Sequence, residues 1–268
     1  RHDWEHSKST HKVIFLNFVN SNRSLVFNNT IFTNGLQSRG GRFSGGANNN
    51  VTSNAINSFA NNSAVSSLYG VYAANSKNLS ILNNYISTNG TNSENIIQLE
   101  SSSDGAYIYN NTLFTNGSSL GGNTGLFVSS SSGIIATHNN VTIGGVAPSY
   151  SFAFSASNSN LVQNNNISVL SGRYGVAFLG DSSHNLINNN LIYVKGTDSN
   201  YGILFSGVTG TNNTASNNII DNNATTFSNS GISLQSSSNT IKVIGNTIRI
   251  NAAEKYGISL SAASNHNI

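Results

Sequence analysis

One short phrase, Asn-x-Ile with Leu and Val variants, recurs along the whole chain and limits what it can fold into. Its apolar member falls at Ile31, Ile56, Ile86, Leu113, Val141, Ile167, Leu191, Ile219 and Ile248, at spacings of 24 to 30 residues. Two residues earlier stands an asparagine each time: Asn29, Asn54, Asn84, Asn111, Asn139, Asn165, Asn189, Asn217 and Asn246. Five residues before the anchor come Val26, Val51, Ile81, Ile108, Ala136, Val162, Leu186, Thr214 and Val243, nearly all apolar. A second phrase, usually glycine then an apolar residue, places that residue at Val71, Ile97, Leu126, Phe152, Val176, Ile203, Ile232 and Ile258. Ser/Asn-rich turns such as Ser183 to Asn185 close the cycle. Each period therefore holds three short alternating stretches separated by turn residues, and nothing of helical period.

A period of about 27 residues with three strands makes an all-β parallel solenoid, because each turn leaves an apolar face that only the next turn can bury. The count predicts about nine to ten rungs of three short strands, and nine rungs at ~4.8 Å make a rod roughly 43 Å tall. Stacked side-chain amides carry both donor and acceptor, so the asparagine column predicts a ladder from rung to rung. The column before it (Asn28, Ser53, Asn83, Asn110, His138, Asn164, Asn188, Ser216, Gly245) is made of residues that tolerate left-handed turns. After the anchor the outward rank includes Ile192 and Ile220, a small apolar patch on adjacent rungs.

The cycle from Gly231 to Ile248 resembles the right-handed parallel β-helix repeats of the PbH1 type, found in NosD-like and carbohydrate-active surface proteins. The resemblance runs from about Val13 to the last residue and implies right-handed winding of a single-stranded helix. It leaves activity open, because that family includes polysaccharide lyases, epimerases, glycosidases, tailspikes and adhesins. Residues 1–12, with the only tryptophan at Trp4, stand apart as a cap or docking arm. Residues 13–268 read as the β-helix, with a Gly/Asn-rich insertion at 34–50.

Charge is scarce. Twelve Lys and Arg and nine Asp and Glu amount to 8% of 268 residues, against about 25% in an ordinary soluble domain. Their place is taken by 48 Asn and 64 Ser and Thr. A net charge of +3 without a basic stripe argues against nucleic acid. No apolar run approaches the length of a membrane span, and the absence of cysteine removes disulfides and thiolate metal sites.

Glycoside cleavage needs two carboxyl groups about 5 to 9.5 Å apart. The acids of the repeat, Glu94, Glu100, Asp104, Asp181, Asp198, Asp221 and Glu254, are scattered in sequence. The resemblance implies that polysaccharide enzymes of this fold would show clustered Asp, Arg and Lys, and none is visible, so no catalytic residue, cofactor or metal is expected. One edge of the rod carries an ordered column instead: Tyr69, Tyr150, Tyr174, Tyr201 and Tyr256, beside Arg173, Lys195, Asp198 and Lys255. Tyrosine offers an apolar face with a polar tip, which suits packing against another rod or stacking on sugar rings. Asn116 and Asn223 head two of the Asn-x-Ser/Thr sequons and are candidate glycosylation sites.

These observations lead to the expectation of a non-enzymatic structural protein of an extracellular filament, sheath or surface layer. It would assemble with copies of itself, stacked or side by side, at the cell surface. The alternative is a carbohydrate-binding or carbohydrate-processing β-helix module, including an adhesin, whose partners are glycans.

Overall fold

The computed structural model describes residues 14–35, 38–60, 68–91, 94–117, 122–145, 149–196, 199–224, 229–236, 240–251 and 255–261. They form three sheets of ten, nine and nine strands, in which every paired neighbour lies one turn away along the chain. The first sheet runs Ile14–Val19, Arg39–Ser44, Leu68–Ala74, Glu94–Glu100, Asn123–Ser129, Tyr150–Ser155, Tyr174–Leu179, Tyr201–Ser206, Asn229–Gln235 and Lys255–Ser261. The second begins at Leu25–Phe27 and ends at Ile241–Ile244, and the third begins at Thr30–Asn34 and ends at Thr247–Ile250. Pairing between described strands is parallel, as in Tyr174–Leu179 on Tyr201–Ser206. The fold is a parallel β-solenoid with three strands per rung.

Alternation supplies the core. In the third sheet Ile31, Ile56, Ile86, Leu113, Val141, Ile167, Ile192, Ile220 and Ile248 pair in one continuous register, and all but Ile248 are fully enclosed. Opposite them, Phe154, Phe178 and Phe205 of the first sheet stack at 4.7 and 5.8 Å between ring centroids, with interplanar angles of 9° and 15°. Rings repeated at strand spacing thus pack face to face in the interior, each pair adding about 0.5–1.5 kcal/mol beyond its buried area.

That register corrects the sequence reading at two rungs. The anchors there are Ile192 and Ile220, not Leu191 and Ile219: Ile192 is 0% exposed and Leu191 is 49% exposed. Ile192 and Ile220 therefore form no outward patch. The ladder residues shift with them to Asn190 and Asn218, and Ile187 and Ala215 replace Leu186 and Thr214 in the inward column.

The corner between the second and third sheets explains the phrase itself. Only two residues separate Leu25–Phe27 from Thr30–Asn34, and one of them, Asn28, has φ of +57°. The same left-handed conformation occurs at Ser53, Asn83, Asn110, His138, Asn164, Asn189, Asn217 and Gly245. Asn189 and Asn217 thus occupy the turn column, in place of Asn188 and Ser216, and lie outside the ladder. The second corner residue turns its amide inward: backbone N–H groups of Asn29, Asn54, Asn84, Asn111, Asn139, Asn165, Asn190 and Asn218 each donate to Oδ1 of the next asparagine at 2.9–3.0 Å, ending on Asn246. Each ladder amide from Asn54 onward also donates its Nδ2 to a carbonyl of the turn behind, as Asn165 does to Ala136 at 2.9 Å. The ladder satisfies buried backbone groups that a corner would otherwise leave without partners.

Within 34–50, expected as an insertion, Arg39–Ser44 is a strand of the first sheet paired on both sides, to Ile14–Val19 and to Leu68–Ala74. Residues 1–12 lie outside the described residues.

Candidate functional site

The outer face of the first sheet carries the chemistry. Near the start of each strand, where glycine usually stands, there is no room for a side chain: a Cβ on Gly202 would lie 2.3 Å from Ile220 Cγ2 and 2.7 Å from the Gly231 carbonyl. The residue before this position is in register with its neighbours; Tyr69, Thr124 and Ser230 are buried, and Arg39, Asn95, Tyr150, Tyr174 and Tyr201 are half-buried. The row reads Arg39, Tyr69, Asn95, Thr124, Tyr150, Tyr174, Tyr201, Ser230 and Tyr256. Six inter-strand steps, from Arg39 to Tyr201, span roughly 29 Å.

In the middle of this row Tyr150 and Tyr174 stack at 4.6 Å and 20°, and Tyr201 packs tilted against Tyr174 at 5.6 Å and 31°. Burial pushes the Tyr150 phenol above its ordinary range, its neighbour Tyr174 adds to the rise, and the Arg173 charge opposes it. Tyr69 is buried and makes its ring contact with Tyr72. Tyr256, on the last described strand, is exposed. Lys195 and Lys255 are exposed, Arg173 is half-buried, and Asp198 lies outside the described residues.

At the N-terminal end of the row the structure assembles a cluster that the sequence reading missed. The Arg39 guanidinium lies 4.0 Å from the ring centroid of Tyr72 and 5.0 Å from that of Tyr69. The Tyr72 hydroxyl donates to Glu100 Oε1. Gln98 Nε2 donates to Glu100 Oε2 at 2.6 Å, and Asn95 Nδ2 donates to Gln98 Oε1 at 2.7 Å. Arg42 stands beside Tyr72 in register. Burial pulls the Arg39 guanidinium below its usual value; Tyr69 and Tyr72 resist that fall, and the like charge of Arg42 adds to it. Tyr72 is pushed up to about 12, first by burial and then by its bond to the Glu100 carboxylate and that group's charge. The site therefore offers a fixed phenol, a carboxylate held by two donors, the Arg39 guanidinium over two aromatic rings, and Arg42 in register beside Tyr72. The expectation that no Arg and acid cluster exists is corrected here, because strand pairing sets Arg39 and Arg42 of one rung and Glu100 two rungs on around the Tyr69 and Tyr72 rung between them.

Glu94, at the corner entering the same sheet, is fully enclosed, and its Oε2 accepts the Thr115 hydroxyl at 2.6 Å. Burial raises its pKa, while Thr115, Gly90 and Thr88 hold back the rise. Other acids do structural work: Asp104 Oδ1 accepts the Ser132 N–H at 2.8 Å, and Asp181 accepts the Thr209 hydroxyl. Among the described residues no three His, Cys, Asp or Glu side chains come together as a metal site. Asn116 is exposed and Asn223 half-buried. Among the described residues no helix is long and apolar enough to cross a membrane.

The architecture and this outward row define a parallel β-helix with a polar, aromatic face. The chain belongs to the family described as the right handed beta helix region, whose model matches residues 121–268. No curated protein matches it. Among solved structures it is similar to the A-module of the mannuronan C-5 epimerase AlgE6 of Azotobacter vinelandii, with 16% identity and a TM-score of 0.59, covering 87% of this chain and 69% of that one. It is also similar to DFA-IIIase from Arthrobacter chlorophenolicus A6 without its lid, with 16% identity and a TM-score of 0.59, covering 85% of this chain and 55% of that one. A further DFA-IIIase structure from the same organism gives 15% identity and a TM-score of 0.57, covering 88% of this chain and 57% of that one. At this identity the likeness is one of fold. It nevertheless overturns the expectation of a non-enzymatic protein, since the fold is shared with carbohydrate-active enzymes.

Proposed function

We propose that this chain is a carbohydrate-binding or carbohydrate-processing β-helix module that lays a glycan along the outer face of its first sheet. The observation that carries this reading is the in-register row from Arg39 through Tyr69, Asn95, Thr124 and Tyr150 to Tyr174 and Tyr201. Tyrosine faces suit sugar rings, and the amides, hydroxyls and guanidiniums between them suit sugar hydroxyls. A parallel sheet repeats these groups at one per rung, so the row is a linear surface for a linear ligand. The likeness to an epimerase module and to DFA-IIIase supports this reading over that of a filament subunit. An extracellular or cell-surface location goes with a polysaccharide ligand.

The test is binding of the intact chain to a panel of soluble polysaccharides by calorimetry, with Tyr174→Ala plus Tyr201→Ala as the comparison. The reading expects at least one ligand whose affinity falls about tenfold in the double variant while the fold is retained. Failure of every polysaccharide to bind, or equal binding by the variant, rejects it.

A further inference from the structure

We infer that Arg39 and Arg42 form an anion subsite at one end of the tyrosine row, reading a carboxylate or sulfate ester on the glycan. This inference rests on the glycan reading above and adds a charge to the ligand. Nε of Arg39 and Nε of Arg42 are both buried without a hydrogen-bond partner. A buried donor on a charged group is costly to leave unpaired, more so than one on a neutral group. Glu100, the carboxylate of the cluster, is committed elsewhere: Oε1 takes the Tyr72 hydroxyl and Oε2 takes Gln98 Nε2. The cluster thus sets two guanidiniums against one carboxylate, each oxygen of which already accepts one hydrogen bond. Stacking over Tyr69 and Tyr72 holds the Arg39 plane in place, so little rotamer freedom remains to be lost when a planar anion docks.

The rest of the row is uncharged between Tyr69 and Tyr201. Tyr150, Tyr174 and Tyr201 lie four to six inter-strand steps from Arg39, roughly 19 to 29 Å. A glycan spanning the face therefore meets the two guanidiniums of Arg39 and Arg42 at one end and the Tyr150, Tyr174 and Tyr201 rings, with Arg173 beside them, at the other.

The experiment titrates the intact chain with polygalacturonate, its methyl-esterified form, dextran sulfate and dextran, at low and high salt. We expect an acidic polymer to bind about tenfold or more tightly than its uncharged counterpart, with the advantage shrinking as salt rises. Preference for polygalacturonate identifies a carboxylate, and preference for dextran sulfate a sulfate ester. Arg39→Gln plus Arg42→Gln removes the preference, whereas Glu100→Gln, which leaves both arginines, strengthens it. Circular dichroism checks that each variant folds, and the Glu100→Gln arm stands if the arginine variant does not. Equal binding of acidic and uncharged polymers, or an unchanged preference in both variants, overturns the anion subsite while the glycan reading survives. Absence of binding to all four removes the reading on which the subsite depends.

Discussion

The Tyr72 hydroxyl donates to Glu100 Oε1 across one rung of the first sheet, while Glu100 Oε2 accepts Gln98 Nε2 at 2.6 Å. The phenol is consequently pushed up to about 12, with burial the larger cause and the carboxylate the next. An unfolded tyrosine ionises near 10. This group's contribution to stability is therefore complete below about pH 10 and is lost as pH climbs toward 12. Glu100→Gln removes the negative charge but not the burial. Its ultraviolet phenolate titration is expected to move Tyr72 downward, yet to stop above the ordinary tyrosine value. A titration of Glu100→Gln that matches the parent chain refutes the carboxylate's part in the shift.

Glu94 is the opposite kind of acid, enclosed at a corner with the Thr115 hydroxyl on one oxygen. Burial raises its folded pKa. The folded chain then holds its proton more tightly than the unfolded chain, so its contribution is present below the ordinary carboxyl value and declines as pH rises through the folded one. Glu94→Gln keeps the shape and removes the ionisation. Its melting temperature is expected to exceed the parent's at neutral pH and to fall below or equal it in acid. Parallel melting curves for the two proteins across that range would show that the carboxyl ionises without cost.

The repeat was legible because both the anchor column and the glycine column are consequences of one geometry: inward apolar residues, a two-residue corner, and a close approach where a Cβ would meet the neighbouring strand and core. Two rungs misled because Asn189-Asn190-Leu191-Ile192 and Asn217-Asn218-Ile219-Ile220 fit the phrase in two frames one residue apart. A one-residue slip exchanges inside for outside. The inward column contained the decisive sign, for Thr214 was its only polar member, and the correct frame replaces it with Ala215. Arg39 and Arg42 were hidden for another reason. Gly40-Gly41 stands where the next rung has Gly70-Val71, so the phrase lost its apolar member and the segment read as an insertion. Tyr69 and Glu100 were visible singly, but their shared surface depends on side-chain directions that spacing alone does not supply.

The corrected ladder separates two adjacent asparagines. Asn190 accepts both Asn165 N–H groups, from the backbone at 3.0 Å and from Nδ2 at 2.9 Å, and donates to the Val162 carbonyl at 2.9 Å. Asn190→Ala leaves several buried groups unpaired at about 1–3 kcal/mol each, so a loss of about 3 kcal/mol or more is expected in urea unfolding. Asn189, with φ of +59°, gives an exposed bond to Asn164 Oδ1 at 2.9 Å. Glycine accepts that conformation readily, and Asn189→Gly is expected to cost less than about 1 kcal/mol. Equal losses at the two positions would place both side chains in the same environment, against the register described.

Tyr174 and Phe178 belong to one strand and to two stacks, one outside and one inside. Phe178 lies between Phe154 and Phe205 in the core, so Phe178→Ala opens a cavity and is expected to cost about 3–5 kcal/mol. Tyr174 lies between Tyr150 and Tyr201 on the outer face, half-buried, and Tyr174→Ala is expected to cost only about 1–2 kcal/mol. Binding should rank the two variants the other way: polysaccharide affinity falls in Tyr174→Ala and is kept by whatever fraction of Phe178→Ala remains folded. Denaturant curves and calorimetry on the same preparations decide the matter. If Tyr174→Ala loses as much stability as Phe178→Ala and binds polysaccharide normally, the outer stack stiffens the rod and the ligand lies elsewhere.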